Sequence, residues 1–409
     1  MTCKKIVNVV SVVSLVLTMF LSIGKAFAYN KEYAFFHHYD ASEGLISNKI
    51  YDLCADSLGC VWAATDFGID RFDGRDFKHF RRSEYPALGR EDVFFVSTRN
   101  KDHIVAGGYC GQLIDYDIQT DSLSDRMPTQ YGACFNTSFG LVQDNKDNQY
   151  VITDKGLFLW DDKEKQYTNQ FKAFNQLKGV YIRSAFVDKK DRFWIGSFES
   201  VYVVDADGKL VHSYDEQNKS LGVVMNMHYL GDGLLVACTF SSELWIYNTD
   251  ADKVANPKII KVPFSNVYRT LHDRYGRYWF ATDGNGLWYS DNLKSETPTF
   301  THIEPYGDSD RLMRKIYALC EDINGDVWIG TQNSGLWRYS RGNRTGISFS
   351  GQMGMPSEVC SAFLQADDGT ILVGTDGDGV YKLEPNKKTA TRCPSLGDNV
   401  VGICPTGNR

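Results

Sequence analysis

The sequence predicts an all-β protein, a β-propeller built of four-stranded blades. A pattern of short strands and turns recurs eight times, with steps of about 44 residues between copies. Each copy holds three or four runs of four to six residues rich in Val, Ile, Trp and Tyr, separated by Asn, Asp and Gly. Helical periodicity is almost absent. A period of this length is typical of propeller blades, whose sheets bury their faces by stacking on their neighbours.

The clearest copy is residues 316–339, and the first copy is residues 50–72. The residue near the end of the second strand defines the alignment of the copies. That alignment gives Ala64, Ala106, Ile152, Gly196, Ala237, Ala281, Gly330 and Gly374. Repeats two to five deviate most from the pattern, while repeats one and six to eight keep it.

Tryptophans recur at two fixed places in the repeat. The site in the second strand is occupied in four copies, by Trp62, Trp194, Trp279 and Trp328. The site in the third strand holds Trp245, Trp288 and Trp337, with Tyr202 and Tyr381 in two other copies. Large rings at fixed places would fill the wedge between adjacent blades, so we expect them to be core residues and not a binding surface.

Residues 1–28 have the pattern of an export signal. Lys4 and Lys5 precede an apolar run, and Ala26 and Ala28 form a small-x-small cleavage site. We expect cleavage after Ala28 and a periplasmic mature protein without a membrane span; an uncleaved anchor is the alternative. The net charge of −7 and the lack of a dense basic cluster argue against direct nucleic-acid contact.

Ten cysteines show no CxxC pair. Cys54 and Cys320 occupy the same place in their repeats and are expected to be buried thiols. A disulfide between strands stays open, because sequence cannot nominate its two partners.

The repeat pattern resembles a known family. The Asp-x-x-Gly-x-x-Trp-Ile-Gly-Thr core at residues 322–331, followed by Gly-Leu-x-Arg-Tyr, resembles the two-component regulator propeller repeat. Residues 36–48 resemble the start of the sensor region of Bacteroidetes hybrid two-component systems. The resemblance implies a non-catalytic periplasmic input module that senses glycan fragments and controls polysaccharide-utilisation genes. It also implies an oligosaccharide ligand and a homodimer through the sensor region. The sequence departs from the family pattern in having no phospho-acceptor His-Glu motif and no ATP-binding glycine boxes, so we expect no kinase output in this chain, and no motif predicts a cofactor.

The resemblance also implies the domain organisation. Residues 29–350 would form a seven-bladed propeller from repeats one to seven. The residues themselves predict an isolated outer strand at 32–39, which in a closed propeller would complete the last blade. Residues 351–409 would be an eighth repeat and the start of a ninth, whose first strand is residues 399–404, at the beginning of a truncated second propeller. The alternative is a single eight-bladed ring.

Several polar groups have structural explanations. The recurring turn aspartates Asp56, Asp144, Asp188, Asp273, Asp322 and Asp367 are expected to accept hydrogen bonds from turn N–H groups, not to act as catalytic acids. The Asp-Gly-Asn-Gly motif at 283–286 lacks the further ligands of a calcium loop and fits a hairpin turn. The eight histidines show no metal-ligand spacing, so no catalytic or metal residue is predicted.

A ligand site is expected where the loops between second and third strands meet the entries of the inner strands, near the propeller axis. Aromatic, amide, acidic and arginine side chains there suit sugar recognition by stacking and hydrogen bonding. The candidates are Tyr109, Arg183, Phe198, Phe240, Arg269, Asp283, Asn285, Gln332, Asn333 and Asp376. Two alternatives stay open: a secreted propeller hydrolase or lyase acting on polysaccharide, and a protein-interaction propeller.

Overall fold

The computed structural model describes residues 30–34, 36–126, 135–168, 177, 180–198, 200–214, 224–305, 313–341, 354–355, 359–366, 368, 370–383, 389–394 and 397–404. The chain divides into two compact units, residues 1–343 and residues 344–409. The predicted export signal lies outside the described residues. Within the described part of the chain, no helix is long and apolar enough to cross a membrane.

Seven sheets are described in the first unit, and five of them are simple four-stranded meanders. Their strands follow chain order from the innermost to the outermost. The first three are β3–β6 (Ile50–Ala55, Val61–Thr65, Gly68–Phe72, Phe77–Phe80), β7–β10 (Val93–Asn100, His103–Gly108, Leu113–Asp117, Ser122–Asp125) and β11–β14 (Ser138–Gln143, Gln149–Thr153, Gly156–Asp161, Gln166–Thr168). The next two are β15–β18 (Ile182–Val187, Phe193–Ser197, Val201–Val204, Leu210–Tyr214) and β19–β22 (Val224–Tyr229, Leu234–Thr239, Glu243–Asn248, Lys258–Lys261).

The remaining two sheets each take a strand from the N-terminal segment. The sixth contains β23–β26 (Val267–His272, Tyr278–Thr282, Leu287–Ser290, Thr301–Pro305), and β1 (Asn30–Ala34) pairs with β26 in parallel. The seventh contains β27–β29 (Ile316–Glu321, Val327–Thr331, Leu336–Tyr339), and β2 (Phe36–Tyr39) pairs with β29 antiparallel. Two short 3-10 helices, Ala41–Glu43 and Pro86–Leu88, lie in connections.

The N-terminal segment therefore differs from the expectation of one outer strand. Residues 32–39 divide between β1 and β2, which join two different sheets. The part that acts as an outer strand of the seventh sheet is β2. Tyr39 of β2 stacks on Trp328 with 5.6 Å between ring centroids, so β2 is held to the seventh sheet by ring packing as well as by strand pairing.

The inner strands of the first unit form a closed circuit. Each of β3, β7, β11, β15, β19 and β23 packs beside the next, and β27 packs beside both β23 and β3. The apolar core lies between blades, in clusters that each draw on two neighbouring sheets. Trp62, Trp194, Trp279 and Trp328 are at most 2% exposed within these clusters, as expected for wedge residues. The all-β propeller fold is confirmed.

The register corrects the repeat alignment in two copies. The position next to the end of the second strand is Gly107 in the second copy, not Ala106, because Val93 pairs with Gly108. In the fifth copy it is Cys238, not Ala237, because Val224 pairs with Thr239.

The second unit is described by one sheet. It consists of β30–β33 (Cys360–Gln365, Ile371–Thr375, Val380–Leu383, Thr391–Arg392), with Met355, Val373 and Tyr381 as its small core. The predicted strand at residues 399–404 is absent from the described structure, where an isolated bridge joins Asp376 to Asn399.

Candidate functional site

A cavity of about 580 Å³ lies inside the first unit and is lined by the innermost strands of all seven sheets. This volume is within the range of small-molecule sites. The lining combines aromatic rings with a few charged and amide side chains. The site is therefore formed jointly by all the blades of this unit and belongs to none of them alone.

A β-bulge at the same position of every inner strand shapes the cavity wall. In the first sheet the pairing passes from Ile50 with Thr65 to Asp52 with Ala64, so Tyr51 has no partner in the ladder. A bulge bends the strand and redirects the extra side chain. The seven bulge residues are Tyr51, Phe94, Phe139, Arg183, Met225, Tyr268 and Tyr317. Apart from Met225, whose side chain is not described, all of them line the cavity.

The aromatic residues at the cavity form three groups in ring contact. Phe94 lies edge-on to Tyr51 at 4.8 Å and to Tyr109 at 4.1 Å. The second group is Phe139, Tyr181 and Phe198, and the third is Phe240, Tyr268 and Tyr317. Tyr109, Phe198 and Phe240 are 46%, 40% and 38% exposed, which is unusual for large rings and leaves them open to a ligand.

An ion pair between Asp52 and Arg269 lies in the cavity lining. Asp52 receives a hydrogen bond from Arg269 across the ring and a longer one, 3.3 Å, from the Val96 N–H. Burial raises the pKa of Asp52, while Arg269 opposes that shift. Burial, with a smaller contribution from Arg269, lowers the pKa of His228 to about 3, so this lining imidazole is neutral at neutral pH.

Arg183 is the second arginine of the cavity, and it has no acidic partner. Its guanidinium lies 4.3 Å from the centre of the Phe139 ring. Among the described residues no carboxylate lies within salt-bridge distance of it, and its buried Nε has no hydrogen-bond acceptor. Burial lowers the pKa of Arg183, with Arg269 adding to the shift and Tyr181 opposing it.

Six of the ten predicted site residues lie in the cavity lining or contact it. Tyr109, Arg183, Arg269 and Gln332 line the cavity directly. Phe198 and Phe240 reach it through ring contacts with the lining residues Tyr181 and Tyr268.

The other four lie outside the lining. Asp283 Oδ1 is 3.4 Å from Lys315 Nζ, and the side-chain Oδ1 of Asn285 accepts from the Ser265 N–H at 3.1 Å. Asn333 is exposed, and Asp376 is an exposed residue of the second unit. Which of the ten residues bind a ligand stays a prediction.

Sequence reasoning missed the bulge aromatics and the deep polar groups. Tyr51, Phe94, Phe139, Tyr268 and Tyr317 share one register position, immediately after the first buried residue of the inner strand. The recurrence of an aromatic residue there in five copies could have identified them. No such recurrence marks Asp52 or His228, whose neighbours come from other blades.

The turn aspartates have the predicted structural role. Asp56 Oδ1 accepts from the N–H groups of Leu58 and Cys60, each at 2.9 Å. Asp144, Asp188, Asp273 and Asp322 repeat this pattern, and Asp367 lies outside the described residues. Within the described ranges, no group of three or more His, Cys, Asp or Glu is placed to hold a metal ion.

The predicted buried thiols differ in exposure. Cys320 is buried, and Cys54 is partly exposed at the cavity wall. Burial raises the pKa of both thiols. Both are free, as are the other six cysteines of the described chain.

Comparison with known proteins identifies the repeats. Residues 44–67 and 314–333 match the two-component regulator propeller family. These two segments carry the two-component regulator propeller repeat. The matched segments include strands of the first and seventh sheets, and the resemblance inferred from the residues is confirmed. A search of curated proteins finds no match.

Solved structures share the fold at low sequence identity. The extracellular domain described as that of a hybrid two-component system from B. thetaiotaomicron has a TM-score of 0.64 and 18% identity, covering 89% of this chain and 49% of that one. The extracellular domain described as a one-component system from the same organism gives 0.59 and 17%, covering 90% and 48%. A streptogramin B lyase gives 0.55 and 12%, covering 74% and 96%. This chain therefore spans about half the length of the two extracellular domains.

Proposed function

We propose that the chain is a periplasmic input propeller of a hybrid two-component system, whose cavity binds a glycan fragment and thereby controls polysaccharide-utilisation genes. The regulator propeller repeats and the fold shared with extracellular sensor domains support the input role. The pattern of residues 1–28 supports export. Ligand binding belongs to the first unit in this proposal, and phosphotransfer belongs to other domains of the system.

The observation that carries the ligand proposal is the composition of the cavity. Its aromatic groups offer ring faces and edges, on which the apolar C–H faces of a sugar can stack. Gln332, Asn226 and the Asp52–Arg269 pair offer hydrogen-bond donors and acceptors at the same cavity. Aromatic walls with a few convergent polar groups are typical of sites that orient a small polar ligand.

The same lining favours binding over hydrolysis. Glycoside hydrolases generally use two carboxyl groups about 5 to 10 Å apart. Among the described residues, the cavity lining contains a single carboxyl group, Asp52, and that group is engaged by Arg269. A secreted hydrolase or lyase would need further groups, so the enzyme hypothesis ranks second.

The test is binding of oligosaccharides to the whole chain. Calorimetric titration against fragments of plant, host and bacterial polysaccharides should find a ligand whose affinity falls in Tyr109→Ala. Tyr275→Ala is the matched control, because Tyr275 is a similarly exposed ring in a turn between first and second strands, away from the cavity lining. Chromatography of the same mixtures detects any cleavage of the oligosaccharides. Cleavage products would contradict the sensor proposal and support the enzyme hypothesis.

A homodimer through the sensor region is also part of the proposal. Sedimentation velocity with and without the identified ligand measures it. A monomer under both conditions would remove dimerisation from the mechanism and leave ligand binding untouched.

A further inference from the structure

The cavity is positively charged within an acidic protein. The chain carries a net charge of −7. The ionised groups of the described lining are Lys49, Asp52, Arg183 and Arg269. Since Asp52 is engaged by Arg269, the lining retains the charges of Lys49 and Arg183 without a matching carboxylate inside the cavity.

Nearby acids do not remove this excess. A hydrogen bond with Tyr51 raises the pKa of Lys49, and Asp66 adds only a smaller contribution. Asp66 also accepts from Ser47 Oγ at 2.6 Å, and it does not line the cavity. Asp283 interacts with Lys315 instead. Arg183 is the cation that neither acid compensates.

Two buried arginines elsewhere in the first unit each have a carboxylate partner. Arg192 donates to Asp188 at 2.7 Å, and Arg277 donates to Asp291 at 2.9 Å. Both are below 9% exposed and both have a carboxylate. Arg183 is partly exposed at the cavity, but it has no carboxylate partner and its buried Nε has no acceptor, so its different treatment needs a reason.

The surroundings of Arg183 offer hydrogen bonding that the protein does not use. The side chain occupies the bulge position of β15, where the strand places it at the cavity, over Phe139. Its buried Nε lacks an acceptor, and the adjacent Ser184 hydroxyl, 4% exposed, also lacks a partner. Tyr317 lies in the same lining, and burial raises the pKa of this phenol to about 12, so it is a neutral donor.

We propose that the cavity takes an acidic saccharide and that Arg183 binds its anionic group, a carboxylate or a sulfate. This rests on the proposed function, because it names the ligand class of the same site. A guanidinium matches an oxyanion through paired, charge-assisted hydrogen bonds. The anion would supply the acceptor that Nε lacks, while the aromatic groups would contact the sugar.

The first experiment measures how small anions change the thermal stability of the whole chain. Thermal unfolding is followed as acetate or sulfate replaces chloride at constant ionic strength. The wild type and Arg75→Gln should be stabilised more than Arg183→Gln, because the general effect of the anions on folding is common to all three proteins. Arg75 is the control because its side chain is 90% exposed. Unliganded Arg183→Gln should melt at or above the wild-type temperature, because the substitution removes an uncompensated charge; a purely structural role would lower it.

The second experiment uses a matched pair of saccharides, trigalacturonate and its methyl ester, together with sulfated and neutral galacto-oligosaccharides. The acidic members should bind more tightly than their neutral counterparts. Loss of a charge-assisted contact should weaken them about tenfold to a hundredfold in Arg183→Gln. Preference for trigalacturonate assigns a carboxylate, and preference for the sulfated member assigns a sulfate.

The outcomes separate the two proposals. Equal binding of neutral and acidic saccharides, unaffected by Arg183→Gln, overturns the acidic ligand and leaves the glycan sensor standing. Anion stabilisation that depends on Arg183, without any saccharide binding, keeps the anion site and overturns the glycan ligand. Absence of both effects overturns both proposals.

Discussion

Trp328 and Asp322 are joined by a hydrogen bond from the indole Nε1–H to Oδ2, 2.9 Å long, in the core of the seventh blade. The other carboxyl oxygen accepts from the N–H groups of Asn324 and Asp326. One side chain thus fixes the turn between β27 and β28 and orients the ring that fills the wedge. The arrangement recurs as Trp62 with Asp56, Trp194 with Asp188 and Trp279 with Asp273, each at 2.8 Å.

Substitution Asp322→Ala should therefore destabilise the first unit strongly. It removes three hydrogen bonds and leaves a buried indole N–H without an acceptor, which should lower the free energy of unfolding by about 2 to 4 kcal/mol. Urea denaturation measures the change. The matched control is Asp73→Ala, since Asp73 caps an exposed turn through the N–H groups of Arg75 and Asp76 but holds no tryptophan. Equal losses in the two variants would show that the tryptophan contact contributes nothing.

Gly335 fixes the junction between β2 and the seventh blade. Its φ is +70°, and an added Cβ would collide with the carbonyl oxygen of Tyr39. Gly335→Ala should cost about 3 kcal/mol or more, because backbone strain and a steric clash combine. Gly74→Ala isolates the strain: Gly74 has φ +102° with nothing within 4 Å of the added carbon, and should cost about 1 kcal/mol. A Gly335→Ala loss no larger than that of Gly74→Ala would mean that the junction relaxes freely.

The sequence predicted the blades well because their stabilising residues are local. A turn aspartate and the tryptophan that it binds are six residues apart, so both lie within one repeat. Residues 32–39 were harder, because the choice between one strand and two depends on the outer edges of two blades far along the chain. The shifted alignment at Gly107 and Cys238 came from copies that lack the second-strand tryptophan.

The candidate site was predicted only in part, for a related reason. Arg183 and Arg269 could be assigned to inner strands from the repeat, and both line the cavity. The bulge could not be seen, since it depends on pairing with the next strand and shifts the alternation of inward and outward side chains. The Asp52–Arg269 pair joins residues 217 apart, and no local pattern indicates it.

Acid should destabilise the first unit through His228. Its folded pKa of about 3 lies below the ordinary value of 6.5, so the unfolded state binds the proton more readily. The stability contributed by the neutral imidazole is present above pH 6.5 and is lost progressively as pH falls toward 3. Between pH 7 and 4.5 the loss should be about 2 kcal/mol.

Chemical denaturation of the wild type and His228→Gln across this range tests the assignment. The raised pKa of Asp52 acts in the opposite direction, because the folded state then binds a proton more readily than the unfolded state. The difference between the two proteins isolates the imidazole. Parallel pH profiles for both proteins would contradict the prediction.

Phe198 should contribute to ligand binding and little to folding. Its ring is 40% exposed and stacks on Tyr181 at 4.4 Å, with an angle of 14° between the planes. Phe198→Ala should weaken the saccharide identified by titration about tenfold, since it removes one stacking face. The free energy of unfolding should change by less than about 1 kcal/mol, because the side chain is largely outside the core. Tyr275→Ala, with a ring 54% exposed in the turn between β23 and β24, should change neither quantity. A Phe198→Ala variant that loses stability in proportion to affinity would place this ring in the core of the blade and not in the ligand site.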